Sequence, residues 1–128
     1  MKRTFLIDAN VIVHHLLGDH PSLSLQAKKL FVQAQSGKIL MYFDEVIIAE
    51  VVWVLKSFYK LPKEDIVRRL IAIVSQSWVT NPRKKLVITS LEQFAATNFS
   101  YTDCWILAVS KHQEIKLETF DKDLQKQA

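Results

Sequence analysis

Four acidic residues stand in otherwise apolar surroundings: Asp8 in FLIDANV, Glu50 in IIAEVVWV, Asp103 in YTDCWILAV and Asp121 in ETFDKDL. Each aspartate also has a structural reading. Asp8 and Asp121 are placed to cap helices that follow them, and Asp103 is the fourth position of a capping box opened by Ser100. Glu50 has no such role, because it lies inside VIIAEVVWVL with no Lys, Arg or His within five residues. An unpaired carboxylate buried there is costly. Carboxylates sharing one cleft also repel one another and raise each other's pKa values. A divalent cation reverses that cost, and hard carboxylate oxygens suit Mg²⁺ or Mn²⁺. The chain has no glycine-rich phosphate loop, no G-x-S-x-G elbow and no C-x-x-C. Its four histidines and Cys104 show no zinc spacing, and the histidines are read as surface residues. The acids are the chemistry on offer.

The elements that position them alternate. TFLID (4–8) reads as a buried strand, and NVIVHHLL as a short helix running to Gly18 and Pro21. In 22–36, Leu23, Ala27, Leu30, Phe31 and Ala34 recur at helical spacing before Gly37. ILMYF (39–43) is a second strand. The Val and Ile content of 44–59 favours a strand. Its length, and Asp44 as a plausible N-cap, favour a buried helix, which is the reading adopted here. A helix over 63–76, a brief strand at WVT (78–80), the turn NPRKK, helices over 88–97 and 102–113, and a strand at KLETF (116–120) follow, with a short tail helix after Asp121. Alternating strands and helices predict an α/β sandwich with a mostly parallel sheet. Ligands in such sheets gather at the carboxyl ends of the strands, where Asp8 and Asp121 both fall.

At 128 residues with 49% apolar and 23% charged side chains, the chain reads as a single domain, 1–128, with its own core. One cysteine makes an internal disulfide impossible and suits a reducing compartment. The basic start precedes too few apolar residues for a signal peptide, and 46–55 is too short to span a bilayer. A cytoplasmic protein is expected. The net charge of +4, in groups such as Lys28-Lys29, Arg68-Arg69 and Arg83-Lys84-Lys85, is compatible with nucleic acid.

The order and spacing of FLIDANVIV, AEVVWVL, SYTDCWILA and ETFDKDL resemble the PIN domain, in particular the VapC-like ribonuclease toxins of prokaryotic toxin–antitoxin pairs. The resemblance covers essentially the whole chain. It implies a PIN-like α/β/α sandwich with a short, mostly parallel central sheet, and a metal pocket of Asp8, Glu50, Asp103 and Asp121 binding Mg²⁺ or Mn²⁺. Asn10 would orient Asp8, and Thr119 matches a small hydroxyl residue that lines such pockets. Asp123 is a further acid, read first as tail-helix surface. Family members often carry Thr or Ser followed by Pro before the glutamate helix, where this chain has Phe43-Asp44-Glu45.

The implied activity is metal-dependent hydrolysis of RNA phosphodiester bonds. The implied partners are an RNA substrate, a small cognate antitoxin and a second copy of the chain, with no membrane. Leu16, Leu17, Trp53 and Phe58 are candidate antitoxin contacts, against plain core packing. The alternatives are a non-catalytic PIN-like RNA- or protein-binding module and a DNA nuclease of the same fold.

Overall fold

Three short strands pair in parallel in the order β1-β2-β3: β1 (Arg3–Leu6), β2 (Ile39–Tyr42) and β3 (Val79–Thr80). The computed structural model describes residues 2–128. Phe5 pairs with Met41, and Met41 with Val79, so β2 is central and carries the most deeply buried residues of the sheet. Around the sheet run α1 (Ala9–Leu17), α2 (Leu23–Gln35), α3 (Glu45–Trp53), α4 (Lys63–Val74), α5 (Lys84–Ala96), α6 (Tyr101–His112) and α7 (Lys122–Gln127). The result is an α/β/α sandwich with a wholly parallel sheet. Its core joins Ile12 and Val13 of α1, Phe31 of α2, Ile48, Val51 and Leu55, Ile66 and Leu70 of α4, and Leu91 and Phe94 of α5.

The helix reading of 44–59 holds. Asp44 caps α3 by accepting from the Val46 N–H, 2.9 Å away. Past Trp53 the helix widens into a π turn, Val54–Phe58, in which the Tyr59 N–H reaches the Val54 carbonyl at 3.2 Å. Such turns recur at functional sites because the extra residue re-aims the side chains after it. Here Phe58 is turned into solvent, and Tyr59 donates to Asp19 at 2.6 Å. Lys60, at φ 58, ends the segment in a left-handed turn.

Two strand expectations need correction. TFLID is buried only at its end: β1 lies at the sheet edge with Phe5 partly buried and Leu6 in solvent, and only Ile7, just past it, enters the core. KLETF forms no strand at all. Only Leu117 and Thr119 turn partly inward, while Lys116 and Glu118 pair with each other in solvent at 3.3 Å. One apolar side chain buries too little surface to hold a four-residue ladder in place. The segment instead hangs between α6 and α7, with the Ser110 hydroxyl donating to the Ile115 carbonyl and the Gln125 amide to the Thr119 carbonyl. Helix α5 also starts earlier than expected, at Lys84, because Asn81 closes the turn before it by accepting from the Arg83 N–H at 2.7 Å. No described helix is long and apolar enough to cross a membrane.

Candidate active site

Asp8 follows directly on the last β1–β2 hydrogen bond, from the Ile7 N–H to the Tyr42 carbonyl at 3.1 Å. The chain then turns into α1, whose buried Ile12 and Val13 pull it against the core. Asp8 caps that helix, accepting from the Ala9 N–H at 2.8 Å, and its exposed carboxylate sits at the carboxyl edge of the sheet. Asn10, the second residue of α1, faces a groove between α1 and α2 and makes no side-chain hydrogen bond among the described residues. The bond that would orient Asp8 is therefore not formed in this conformation.

Glu50 is not buried, which corrects the dry setting expected for it. Val46, Glu50 and Trp53 occupy one stripe of α3 and all face solvent, with Trp53 65% exposed. Ile48, Val51, Val52 and Leu55 occupy the opposite face and fill the core. The near-continuous apolar run thus conceals an ordinary inward stripe and an outward one that is apolar except for the acid. Helix α3 packs against both α1 and α6, so it lies between the helix that Asp8 caps and the helix that carries Asp103.

Asp103 stands in the first turn of α6. Half of the expected capping box is made: the Ser100 hydroxyl accepts from the Asp103 N–H at 3.1 Å. The reciprocal bond is absent, and the Asp103 carboxylate accepts nothing from the described residues. Asp121 caps α7, accepting from the Leu124 N–H at 2.9 Å while buried Leu124 anchors the helix. Thr119 acts on the backbone here, its hydroxyl accepting from the Asp121 N–H at 3.1 Å. Asp103 and Asp121 line one cleft of about 490 Å³ with Asn98, Ser100, Asp123 and Lys126. Asp123 therefore belongs beside Asp121. The D-x-D spacing across the first turn of α7 was the available signal for it.

A polar cluster unforeseen in the sequence closes the carboxyl edge of the sheet. Glu45, just after β2, receives the Arg83 Nε at 2.9 Å, and the Arg83 guanidinium lies 4.9 Å above the Trp105 ring. The Asn81 amide donates to the Phe43 carbonyl at 2.7 Å, tying the loops after β2 and β3 together. Two other reactive groups are disarmed. Burial pushes the Tyr101 phenol up to about 12, against the lowering effect of its hydrogen bond to Ser90. Burial likewise raises the Cys104 thiol, which packs in the core.

The site thus falls into two parts, Asp8 at the sheet edge with Glu50 on the neighbouring α3, and Asp103, Asp121 and Asp123 around a cleft. Among the described residues no three His, Cys, Asp or Glu side chains are grouped closely enough to hold a metal ion. The donor chemistry nonetheless suits Mg²⁺ or Mn²⁺, since the acids are exposed or half-exposed oxygen donors and Mg²⁺ keeps several of its waters. No match was found among curated proteins or among solved structures. The PIN domain matches residues 5–128, and the chain belongs to that family, whose members are generally divalent-metal nucleases.

Proposed function

We propose that this chain is a Mg²⁺- or Mn²⁺-dependent endoribonuclease, the toxin of a toxin–antitoxin pair, with Asp8, Glu50, Asp103 and Asp121 as metal ligands. The observation that carries the reading is the α6 cleft, where Asp103 and Asp121 open onto the same space and the Asp103 carboxylate has no partner among the described residues. A bound divalent ion supplies Lewis-acid chemistry at the scissile phosphate. The chain's own residues prepare the site. Ser100 and Thr119 hold the backbones of Asp103 and Asp121, and Lys126 supplies a cation beside them for the RNA backbone. Asp123 joins the acids in the cleft. RNA with unpaired bases is the expected substrate, since its base edges are open.

A small antitoxin and a second copy of the chain are the proposed partners. Trp53 and Phe58 are exposed and suited to such contacts, whereas Leu16 and Leu17 are half-buried and pack on the core. Purified protein should cleave RNA with Mg²⁺ or Mn²⁺ and stop in EDTA. Asp103→Asn should reduce cleavage by at least about 10²-fold while the helical circular-dichroism spectrum is unchanged, as for removal of a group that stabilises the transition state electrostatically. Undiminished cleavage in chelator, or by the variant, overturns the assignment.

A further inference from the structure

A second cleft, of about 590 Å³, opens at the other end of the sheet, and its lining contains no acid. Gln35 ends α2 just before β2, and Trp78 immediately precedes β3, so this cleft borders the amino ends of strands whose carboxyl ends face Asp8 and Arg83. Arg68 and Arg69 of α4 form one wall. Both pair with Asp65, Arg69 through its Nε at 3.2 Å. One carboxylate for two guanidinium groups leaves a net positive charge. Arg69 is fixed, because a terminal nitrogen also donates to the Leu16 carbonyl at 2.9 Å. Arg68 is also paired with Asp65, but its side chain is 72% exposed, which leaves guanidinium donors facing solvent for a ligand. Lys84 does not line the cleft but reaches one of its residues, its Nζ donating to the Gln76 carbonyl at 2.8 Å.

The opposite wall is aromatic. The His15 ring stacks on buried Phe31, with centroids 3.7 Å apart and planes within 5°. Trp78 meets Phe31 edge-on at 5.9 Å. Burial lowers the pKa of His15, so near neutral pH the ring is an uncharged heterocycle. The Gln35 and Gln76 side chains bring amide donors and acceptors to the same space. An acidic peptide would use only the cations of this cleft. A nucleotide would use all of it, its phosphate meeting the arginines, its base meeting the aromatic wall and its polar edges the amides.

We propose that this cleft binds a nucleotide of single-stranded RNA, as a holding site separate from the acids that cut. The choice of RNA rests on the nuclease reading above. Binding is therefore measured without cleavage, by fluorescence anisotropy of a short, labelled, unstructured oligoribonucleotide in EDTA. Arg68→Glu should weaken binding roughly tenfold and flatten its salt dependence between about 50 and 200 mM, as expected when a phosphate contact is lost. Its melting temperature should stay at the wild-type value, since Arg68 is exposed, and Arg68→Gln should fall between the two in binding. Asp103→Asn should still bind. Equal binding by wild type and Arg68→Glu overturns the proposal. Arg68-dependent capture of polyglutamate in preference to the oligonucleotide overturns it in favour of an acidic protein segment. Arg68-dependent binding of a free mononucleotide without binding of the oligonucleotide overturns it in favour of a small-molecule site. Loss of cleavage by wild type in Mg²⁺, with Arg68-dependent binding retained, would count against the nuclease reading and leave the cleft assignment standing.

Discussion

The two ends of the sheet are built on opposite plans. At the amino end, a rigid aromatic floor (Phe31 under His15 and against Trp78) supports cations held by Asp65 and Leu16. Among the acids, Asp8, Asp103 and Asp121 sit at helix starts, exposed or half-exposed, and take part in backbone hydrogen bonds there. The difference follows from charge. A guanidinium keeps its charge in any setting a protein offers and tolerates packing along its stem. Clustered carboxylates keep theirs only in water or beside a cation. A basic groove can therefore be preorganised by packing, while an acidic site stays open until something neutralises it.

The largest expected effect breaks the amino end. Phe31 is fully buried beneath His15 and touches Phe43 and Trp78. Phe31→Ala should cost about 3–5 kcal/mol of stability, the range for a large aromatic removed from a core. Urea unfolding measures it, and a loss below about 1 kcal/mol would mean that the floor is not a packed element.

At the carboxyl end the corresponding test should do little to the fold. Glu50 is exposed on α3, so Glu50→Gln in EDTA should change stability by no more than about 0.5 kcal/mol. Cleavage should nevertheless fall, and added Mg²⁺ should stabilise wild type more than the variant. Thermal melts with and without metal check both statements. A drop of several kcal/mol in chelator would restore a buried ion pair.

The smallest effect is a pH dependence confined to the groove. His15 titrates below its ordinary value of 6.5 because burial disfavours the charged ring. The unfolded chain therefore binds this proton more readily than the folded one. Its contribution to stability is present above pH 6.5 and is lost as pH falls from there toward the lowered folded value. Melting temperatures taken from pH 7.5 down to 5.5 should fall more for wild type than for His15→Gln; parallel curves would remove His15 from the account.

Much of the frame was legible in the residues. The position of α2 followed from apolar spacing, the caps at Asp8 and Asp44 from residue type just before an apolar run, and the cap at Asp121 from an acid ahead of the tail helix. These depend on contacts within a few residues, which a local sequence encodes directly. Arg83 escaped because nothing near it in the chain announces its neighbour. Asp123 stands out as a further acid but reads as tail-helix surface, although it is two residues from Asp121. Asp123 meets Asp103 only across the α6 cleft, and Arg83 reaches Glu45 from 38 residues away.

The sequence by itself determined the family and the order of the elements apart from the strand expected at KLETF, and it singled out four acids as candidates, because periodicity, capping chemistry and motif spacing are properties of the chain. Only the tertiary structure decided which side of α3 meets water. VIIAEVVWVL is apolar on every face, so its moment could not choose, and the packing of Ile48, Val51 and Leu55 into the core turned Glu50 outward. The same holds for KLETF, whose propensity suits a strand but whose pairing needs a partner edge and a buried face. Strand formation is a contract between distant segments, and local sequence states only one side of it.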